Sequence, residues 1–379
     1  MSKYGHYTVG DKIITNSMLA FLEKSKTGLP IKWHYYDDIW RNFDKSLLGR
    51  TSLKELYRQR AQMLRDSYDY LILQYSGGSD SHCILQAFLQ NNIKLDQVMI
   101  KQPFNLINKK IHNPNLIDIS AKNQLSEWDY IIKPDLEYIA THHPEIEIKL
   151  IDWLDGVTAD SFGDDKFQSH RGLYFMSYIL KHPEYSNNDI EIKLIERGKK
   201  VGVINGVEKP VLIAKDNKAY TTFPDKPMVL IPPTVTNPYG TEYFFWTPDF
   251  PELALERAYQ VFLWFKRNPQ YQGLLYKPKW IGRHTERWDK YSELIKPIIY
   301  PDWDITKFQV KKPIVGELDD MSQFDMVVET HPEIIKIKEG WKYHWSSYLN
   351  ELDTTTVVMK NGQFPSIDSS YYYMGNLID

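Results

Sequence analysis

Cysteine is nearly absent from this chain of 379 residues, in which Cys83 is the only one. A single cysteine excludes a disulfide within the chain, a four-cysteine zinc site and an iron–sulfur cluster held by this chain alone. A reducing environment is the simplest setting for such a composition. The sequence therefore predicts a cytoplasmic protein.

Long apolar runs and a large excess of either charge are also lacking. No apolar run approaches the roughly 18 residues of a membrane span, and residues 1–19 lack the apolar core of a secretory signal. The net charge of -3 gives no overall basic field, although Lys45–Arg65 carries a local cluster of lysine and arginine. We expect a soluble protein without a membrane partner, for which nucleic acid is an open but less favoured partner.

The sequence does contain an alternation of strand-like and helix-like segments. Ser52 and Glu55 have capping-box spacing ahead of a helix to about Tyr68, and the apolar run 70–75 is typical of a parallel strand covered on both faces. Similar patterns predict helices through 84–89, 123–142, 170–181 and 189–197 and strands at 97–101, 146–153 and 200–205. This alternation predicts an α/β fold with a doubly wound parallel sheet, whose ligand crevice lies at the carboxyl ends of the strands.

The composition changes after Gly206. Residues 211–223 have the pattern of a β-hairpin, and Asp249 with Glu252 predicts the capped start of a long amphipathic helix through Phe265. Many tryptophans and tyrosines follow, which we expect to be core residues. The predicted organisation is an N-terminal extension (1–44), a Rossmann-like domain (45–210) and a C-terminal α+β extension that shapes the acceptor-substrate region (211–379).

The turn between the first of these strands and its helix is the stretch SGGSDS, Ser76–Ser81. Glycines at such a place let the backbone approach a ligand closely, and the free N–H groups of a helix N-terminus favour an anion. Phosphate is the expected ligand. The chain contains neither G-x-x-x-x-G-K-[ST] nor G-x-G-x-x-G, the two common phosphate-binding patterns.

The stretch Ser76–Ser81 resembles the SGGxDS signature of the PP-loop, or N-type, ATP pyrophosphatases, without a departure. The resemblance covers about residues 52–208 and implies a Rossmann-like sheet of the PP-loop (HUP) type. It also implies an enzyme that uses ATP and Mg²⁺ and cleaves ATP to AMP and pyrophosphate. The turn would hold the pyrophosphate, and Asp80 would bind Mg²⁺. The resemblance thus implies catalytic roles for Ser76, Asp80 and Ser81 and further ATP contacts from Gly77, Gly78 and Ser79.

Two more places are implied to contact the nucleotide. By the same resemblance the adenine packs near the end of the second strand, at Ile100 and Lys101. A glycine-centred segment closes the fourth strand on the same sheet edge, where Gly206 and Lys209 are candidate phosphate contacts. A surface lysine before a proline is an equally good interpretation of Lys209.

The predicted reaction is an ATP-driven ligation or amidation, in which a substrate carbonyl is adenylated and then attacked by an amine or ammonia. The expected partners are a small-molecule or nucleotide acceptor and a separate protein that supplies the amine or ammonia. One alternative is a sulfonucleotide-reductase-like protein that lacks the catalytic cysteine, and another is a nucleotide-binding protein without turnover. Cys83 is expected to be a small packing residue rather than a nucleophile.

Overall fold

The computed structural model describes residues 5–15, 17–102, 128–152, 190–206, 208–225, 240–276, 286–304 and 367–378. The strands are β1 (His6–Val9), β2 (Lys12–Ile14), β3 (Ile31–His34), β4 (Tyr70–Gln74), β5 (Gln97–Gln102), β6 (Glu147–Asp152), β7 (Val201–Asn205), β8 (Val211–Lys215), β9 (Lys218–Thr222), β10 (Gly240–Tyr243) and β11 (Tyr372–Asn376). The α-helices are α1 (Ser17–Thr27), α2 (Asp37–Asn42), α3 (Leu53–Ser67), α4 (Ser79–Leu89), α5 (Lys133–His142), α6 (Ile190–Glu196), α7 (Pro251–Arg267) and α8 (Glu286–Ile299).

Five parallel strands form the main sheet, in the order β10-β7-β4-β5-β6. The chain begins this sheet at its middle strand, β4, then builds outward through β5 and β6 before it returns to the other side with β7. The strand order therefore reverses at β4, which is the point where ligands bind in sheets of this kind. The α/β class and a Rossmann-like sheet are confirmed, and the PP-loop type of sheet is not.

Helices cover both faces of this sheet. Leu71 and Leu73 of β4 belong to the larger core, to which α3, α4 and α7 contribute. Ile72 points to the opposite face, because successive side chains of a strand alternate, and it packs in a smaller cluster with Ile192 and Ile195 of α6. The sheet is thus doubly wound.

Several local predictions are confirmed in the described residues. The Ser52 side chain caps α3 by accepting a hydrogen bond from the Glu55 backbone N–H at 3.3 Å. The predicted helix before β6 is described from Trp128 onward, first as a π-helix to Ile132 and then as α5. The predicted helix at 170–181 lies outside the described residues.

Two smaller antiparallel sheets accompany the main one, with the orders β2-β1-β3 and β11-β9-β8. The predicted hairpin is formed by β8 and β9, and its two turn residues, Asp216 and Asn217, both have positive φ angles, as tight hairpin turns require. The strand β10 lies beyond the predicted domain boundary at residue 210 and completes the main sheet. The domain boundaries themselves stay a prediction.

The aromatic residues of the second half contribute to the core. The Phe223 ring lies 4.3 Å from the Trp40 ring and 5.4 Å from the Trp246 ring, centroid to centroid. One structural expectation needs correction: α7 begins at Pro251 after Phe250, so that Asp249 does not cap it. In the described ranges, no helix is both long and apolar enough to cross a membrane.

Candidate functional site

The β4–α4 turn is held in shape by its own hydrogen bonds. The Gly78 backbone N–H donates to Ser76 Oγ at 3.3 Å, and the Ser76 backbone N–H donates to Ser81 Oγ at 3.2 Å. The Ser81 hydroxyl donates to the Gly78 carbonyl at 3.1 Å. Both serine hydroxyls that the sequence assigned to a ligand are therefore used inside the turn.

Glycine is required at Gly77 and fits a tight contact at Gly206, both beside this turn. Gly77 has φ +75, and a Cβ added there would lie 2.6 Å from Ile132 Cγ1. At Gly206, directly after β7, a Cβ would lie 3.1 Å from the Ser81 backbone nitrogen. A Cβ on Gly78 would meet only Ser76 Oγ, at 3.3 Å. The backbone is thus tightly packed behind the turn and open in front of Gly78.

Asp80, in the first turn of α4, is the centre of a charged cluster. Lys209 Nζ donates to its Oδ2 at 2.8 Å, and the Tyr300 hydroxyl donates to its Oδ1. Arg257 Nη2 lies 3.7 Å from Oδ1. Lys209 follows β7, Arg257 is on α7 and Tyr300 follows α8. Four separate parts of the chain therefore place one carboxylate against two cations, which leaves an excess of positive charge.

The neighbours of Asp80 decide its protonation. Burial by itself would raise the pKa of the Asp80 carboxyl, but Lys209 and Arg257 hold that pKa below its ordinary value. Burial would likewise lower the pKa of Lys209, but Asp80 keeps it above its ordinary value. Burial and then Asp80 raise the pKa of Tyr300, so its hydroxyl stays a donor. At neutral pH the cluster holds one carboxylate, two cations and a neutral phenol.

Arg257 is almost fully buried, and part of its guanidinium is bound to the protein. Its Nη1 donates to the Glu208 carbonyl at 2.9 Å, and its guanidinium carbon lies 3.8 Å from the Phe245 ring centroid. Its Nε and Nη2 have no hydrogen-bond partner among the described residues. Because buried donors without partners are costly, an acceptor beside Nη2 would be stabilised. Neither atom is open to solvent, so a ligand reaches them only if a neighbouring side chain moves.

A cavity of about 30 Å³ adjoins this cluster at Tyr300 and Ser79. Aromatic rings and side-chain amides form much of its wall. They belong to Tyr57, Trp303, Gln86, Gln90 and Asn91.

Three buried polar side chains beside the turn are hydrogen-bonded to one another. His82 Nδ1 lies 3.0 Å from Asp135 Oδ2, and the Tyr75 hydroxyl donates to the same oxygen. This group joins the end of β4, the helix α4 and the helix α5. The neighbouring thiol is not activated, since burial raises the pKa of Cys83 well above its ordinary value, which agrees with a packing role.

Most of the residues predicted from the sequence come together at this edge of the sheet. They are Ser76, Gly77, Gly78, Ser79, Asp80, Ser81, Gly206 and Lys209. Ile100 is fully buried in the core and lies opposite Leu150 in the sheet. Lys101 follows it in β5, opposite Ile151. The ligand-binding roles of all these residues stay predictions.

Sequence reasoning missed Arg257 and Tyr300. Arg257 had a signal, because it lies four residues from both Leu253 and Val261 on the buried face of an amphipathic helix. A charged residue in such an apolar stripe needs a partner. Tyr300 had no comparable signal.

Comparisons with known proteins give one informative match. No family model matches the chain, and no solved structure does. The chain is similar to a release factor glutamine methyltransferase from Mycoplasma mycoides subsp. mycoides, with 26% identity over 183 residues. The match covers 45% of this chain and 59% of that relative, so the chain spans less than two thirds of the relative's length.

This relative contradicts the assignment made from the SGGxDS motif. A methyltransferase has a different fold from the PP-loop ATP pyrophosphatases, so the predicted ATP-driven ligation and ATP and Mg²⁺ as cofactors are contradicted, and neither alternative function is supported. The geometry gives a physical reason: Ser76 and Ser81 bond within the turn, and Asp80 faces Lys209 and Arg257. Among the described residues, no group of three His, Cys, Asp or Glu could hold a metal ion.

Proposed function

We propose that this chain is a methyltransferase that uses S-adenosylmethionine, with the amino-acid end of the cofactor bound at the Asp80 cluster. The observation that carries the proposal is a cluster of both charge signs, Asp80 with Lys209 and Arg257, at the switch point of the sheet. The name of the similar protein, a methyltransferase, supports the reaction.

The charges of the cluster fit this ligand. The amino-acid end of S-adenosylmethionine carries a carboxylate and an ammonium group. Lys209 and Arg257 would pair with the carboxylate, which would supply the acceptor that Arg257 Nη2 lacks. Asp80 would accept a hydrogen bond from the ammonium group. A ligand with negative charges alone would pair with the two cations but would offer Asp80 no positively charged partner.

The chain's own contribution to catalysis would be binding and orientation. The cofactor supplies an electrophilic methyl group when it is bound. The open space in front of Gly78 lets a ligand approach the backbone, and the charged cluster fixes one end of that ligand. Holding two reactants in a productive arrangement is itself a large source of rate acceleration.

We further propose that the methyl acceptor is a side-chain amide that lies at the opening of the cavity beside Tyr300. The similar protein is named for a glutamine substrate. Gln86, Gln90 and Asn91 line this cavity, and their amides both donate and accept hydrogen bonds, as an amide substrate does. The rings of Tyr57 and Trp303 provide an apolar surface for the methylene groups of the acceptor.

Calorimetric titration with S-adenosylmethionine and S-adenosylhomocysteine tests the binding site. We expect both to bind, and Lys209→Met or Asp80→Asn to weaken binding at least tenfold. Lys199→Met is the matched control, because Lys199 is exposed and pairs with Asp69 away from the site. No binding, or unchanged binding in both site variants, would refute the site. Displacement of bound S-adenosylmethionine by Mg²⁺–ATP would also count against it.

Transfer itself is measured with a tritiated methyl donor and glutamine-containing peptides. We expect radioactivity in the peptide, and much less of it with Gln86→Leu, which removes an amide from the cavity wall. Transfer to peptides without glutamine at the same rate would contradict an amide acceptor.

A further inference from the structure

A second and larger cavity, of about 200 Å³, lies beside the edge strand β10. It is formed by the start of α2, the strand β10 and the segment that follows β10. It shares no residue with the Asp80 cluster. Its walls include four aromatic side chains and two carboxylates, from Tyr35, Tyr36, Tyr243, Trp246, Glu242 and Asp249. None of the residues that the structure places in its lining is a lysine, arginine or histidine.

The aromatic walls form a corner. The Tyr35 and Tyr36 rings are 5.4 Å apart and stand at 82° to each other. The Tyr35 hydroxyl donates to the Trp246 carbonyl at 2.7 Å, which fixes this ring against the opposite wall. Aromatic faces carry partial negative charge and attract cations. A cation is attracted only to a ring face, because the ring edge carries partial positive charge.

The two carboxylates of the cavity differ in whether a basic side chain forms an ion pair with them. Glu242 is neutralised, since Arg60 Nη2 lies 3.0 Å from its Oε2 and the Tyr68 hydroxyl donates to its Oε1. Asp249 is exposed, and no lysine or arginine in the described part of the chain pairs with it. Arg60 also interacts electrostatically with Asp249, but one cation against two carboxylates leaves the cavity with an excess of negative charge.

The backbone at Tyr36 is in an unusual conformation. Its φ of 52 and ψ of 42 lie in the left-handed region, which a bulky residue rarely adopts. Such outliers persist where the surrounding structure enforces them, and they are concentrated at functional sites. Here the conformation brings the Tyr36 ring to the Tyr35 ring.

We propose that this cavity binds an organic cation of the alkylated ammonium class, with the ammonium group among the rings and near Asp249. Its volume corresponds to about six or seven water molecules of liquid, which is enough for a trimethylammonium group. The cation belongs either to a free small molecule such as choline or to a methylated lysine side chain. This proposal does not depend on the methyltransferase function.

Titration with choline and with its neutral isostere, 3,3-dimethyl-1-butanol, tests the role of charge. The two molecules have nearly the same shape, and only choline carries a positive charge. We expect choline to bind one site per chain at least tenfold more tightly than the alcohol. Equal affinities, or no binding of choline, would overturn the proposal.

Variants locate the binding to this cavity. Asp249→Asn should weaken choline binding at least threefold, while Asp66→Asn, an exposed carboxylate on α3, should leave it unchanged. Tyr36→Gly should stay folded, because glycine adopts positive φ without strain, and should lose most of the affinity. Unchanged affinity in both Asp249→Asn and Tyr36→Gly would place the cation elsewhere and overturn the assignment.

Two further measurements identify the source of the cation and test whether this cavity is separate from the proposed S-adenosylmethionine site. A trimethyllysine peptide that binds more tightly than choline assigns the cavity to a polypeptide side chain, and binding of choline alone assigns it to a free small molecule. S-adenosylmethionine is itself a cation, so it is added at saturation as a competitor. We expect saturating S-adenosylmethionine to leave choline binding unchanged. Full displacement of choline would mean that the two molecules share one site, which would overturn the proposal of a separate cavity. Failure of S-adenosylmethionine to bind at all would affect only the methyltransferase proposal.

Discussion

The ion pair of Asp80 and Lys209 leads to a prediction about single residues. Both side chains are largely buried and their charged atoms are 2.8 Å apart. A hydrogen bond between charged groups contributes roughly 1.5–3 kcal/mol. We therefore expect Lys209→Met to lower the free energy of unfolding by about that amount at pH 7, as measured by urea denaturation.

The same pair predicts a dependence on pH. In the folded protein the pKa of Asp80 is lower than its ordinary value of 3.8. The stability that the ionised carboxylate contributes is therefore fully present above pH 3.8, and it is lost as the pH falls through the lowered pKa. The difference between the parent and Lys209→Met should therefore shrink below about pH 4. Lys199→Met, in an exposed pair, should change stability by less than about 0.5 kcal/mol at any pH. A difference that stays constant down to pH 2 would contradict this assignment.

The two glycines of the β4–α4 turn differ in what they tolerate. Gly77→Ala should lower the free energy of unfolding by at least about 2 kcal/mol, because it adds a left-handed strain of roughly 1–2 kcal/mol to a clash with Ile132. Gly78→Ala should be nearly neutral, since its Cβ meets only Ser76 Oγ. Thermal and urea unfolding of both variants measure this contrast. Similar losses in the two variants would mean that the turn has another conformation.

Helix α3 provides a prediction about an element. Ser52 caps its N-terminus, so Ser52→Ala should lower the free energy of unfolding by about 1 kcal/mol. Ser67→Ala is a suitable control at the other end of the same helix, where the exposed hydroxyl donates to the Met63 carbonyl. Urea denaturation should show a change of less than about 0.5 kcal/mol for the control. An equal effect of both substitutions would argue against capping.

Local elements could be predicted from the sequence because their signals are local. The cap at Ser52, the apolar strand β4 and the hairpin of β8 and β9 each depend on a few neighbouring residues. The strand β10 depends instead on distant contacts. Its Gly240, like Gly202 of β7, packs against the Tyr68 ring, and the Tyr68 hydroxyl donates to Glu242. The sequence of β10, GTEY, has no apolar pattern that predicts a strand of the main sheet.

In the candidate site, too, the local part could be predicted from the sequence and the distant contacts could not. Its turn could be recognised because glycine, serine and aspartate are characteristic of a strand–turn–helix junction, but the turn alone did not identify the ligand. Arg257 and Tyr300 reach Asp80 from far along the chain, and such contacts are a property of the tertiary fold. The motif therefore located the turn of the candidate site, whose role in ligand binding stays a prediction, and its assignment to ATP was wrong.

The main sheet as a whole yields a prediction about a fragment. Residues 45–210, the predicted Rossmann-like domain, lack β10 and the helix α7, whose Leu253 and Phe262 are buried in the main core. We expect this fragment to unfold without a cooperative transition, because β7 becomes an unpaired edge and a large apolar surface is exposed. Circular dichroism in urea compares it with the full chain. A cooperative transition at the same urea concentration would instead support the predicted boundary.

The pairing of β11 with β9 has a consequence for the timing of folding in the cell. Tyr372 lies opposite Thr221, so β9 acquires its second neighbour only after residue 376 has left the ribosome. Nascent chains emerge at about 5–20 residues per second, and during that interval one edge of β9 stays open. An open strand edge can pair with another chain. Newly made copies on one polysome are therefore at risk of joining one another through β9 during that interval.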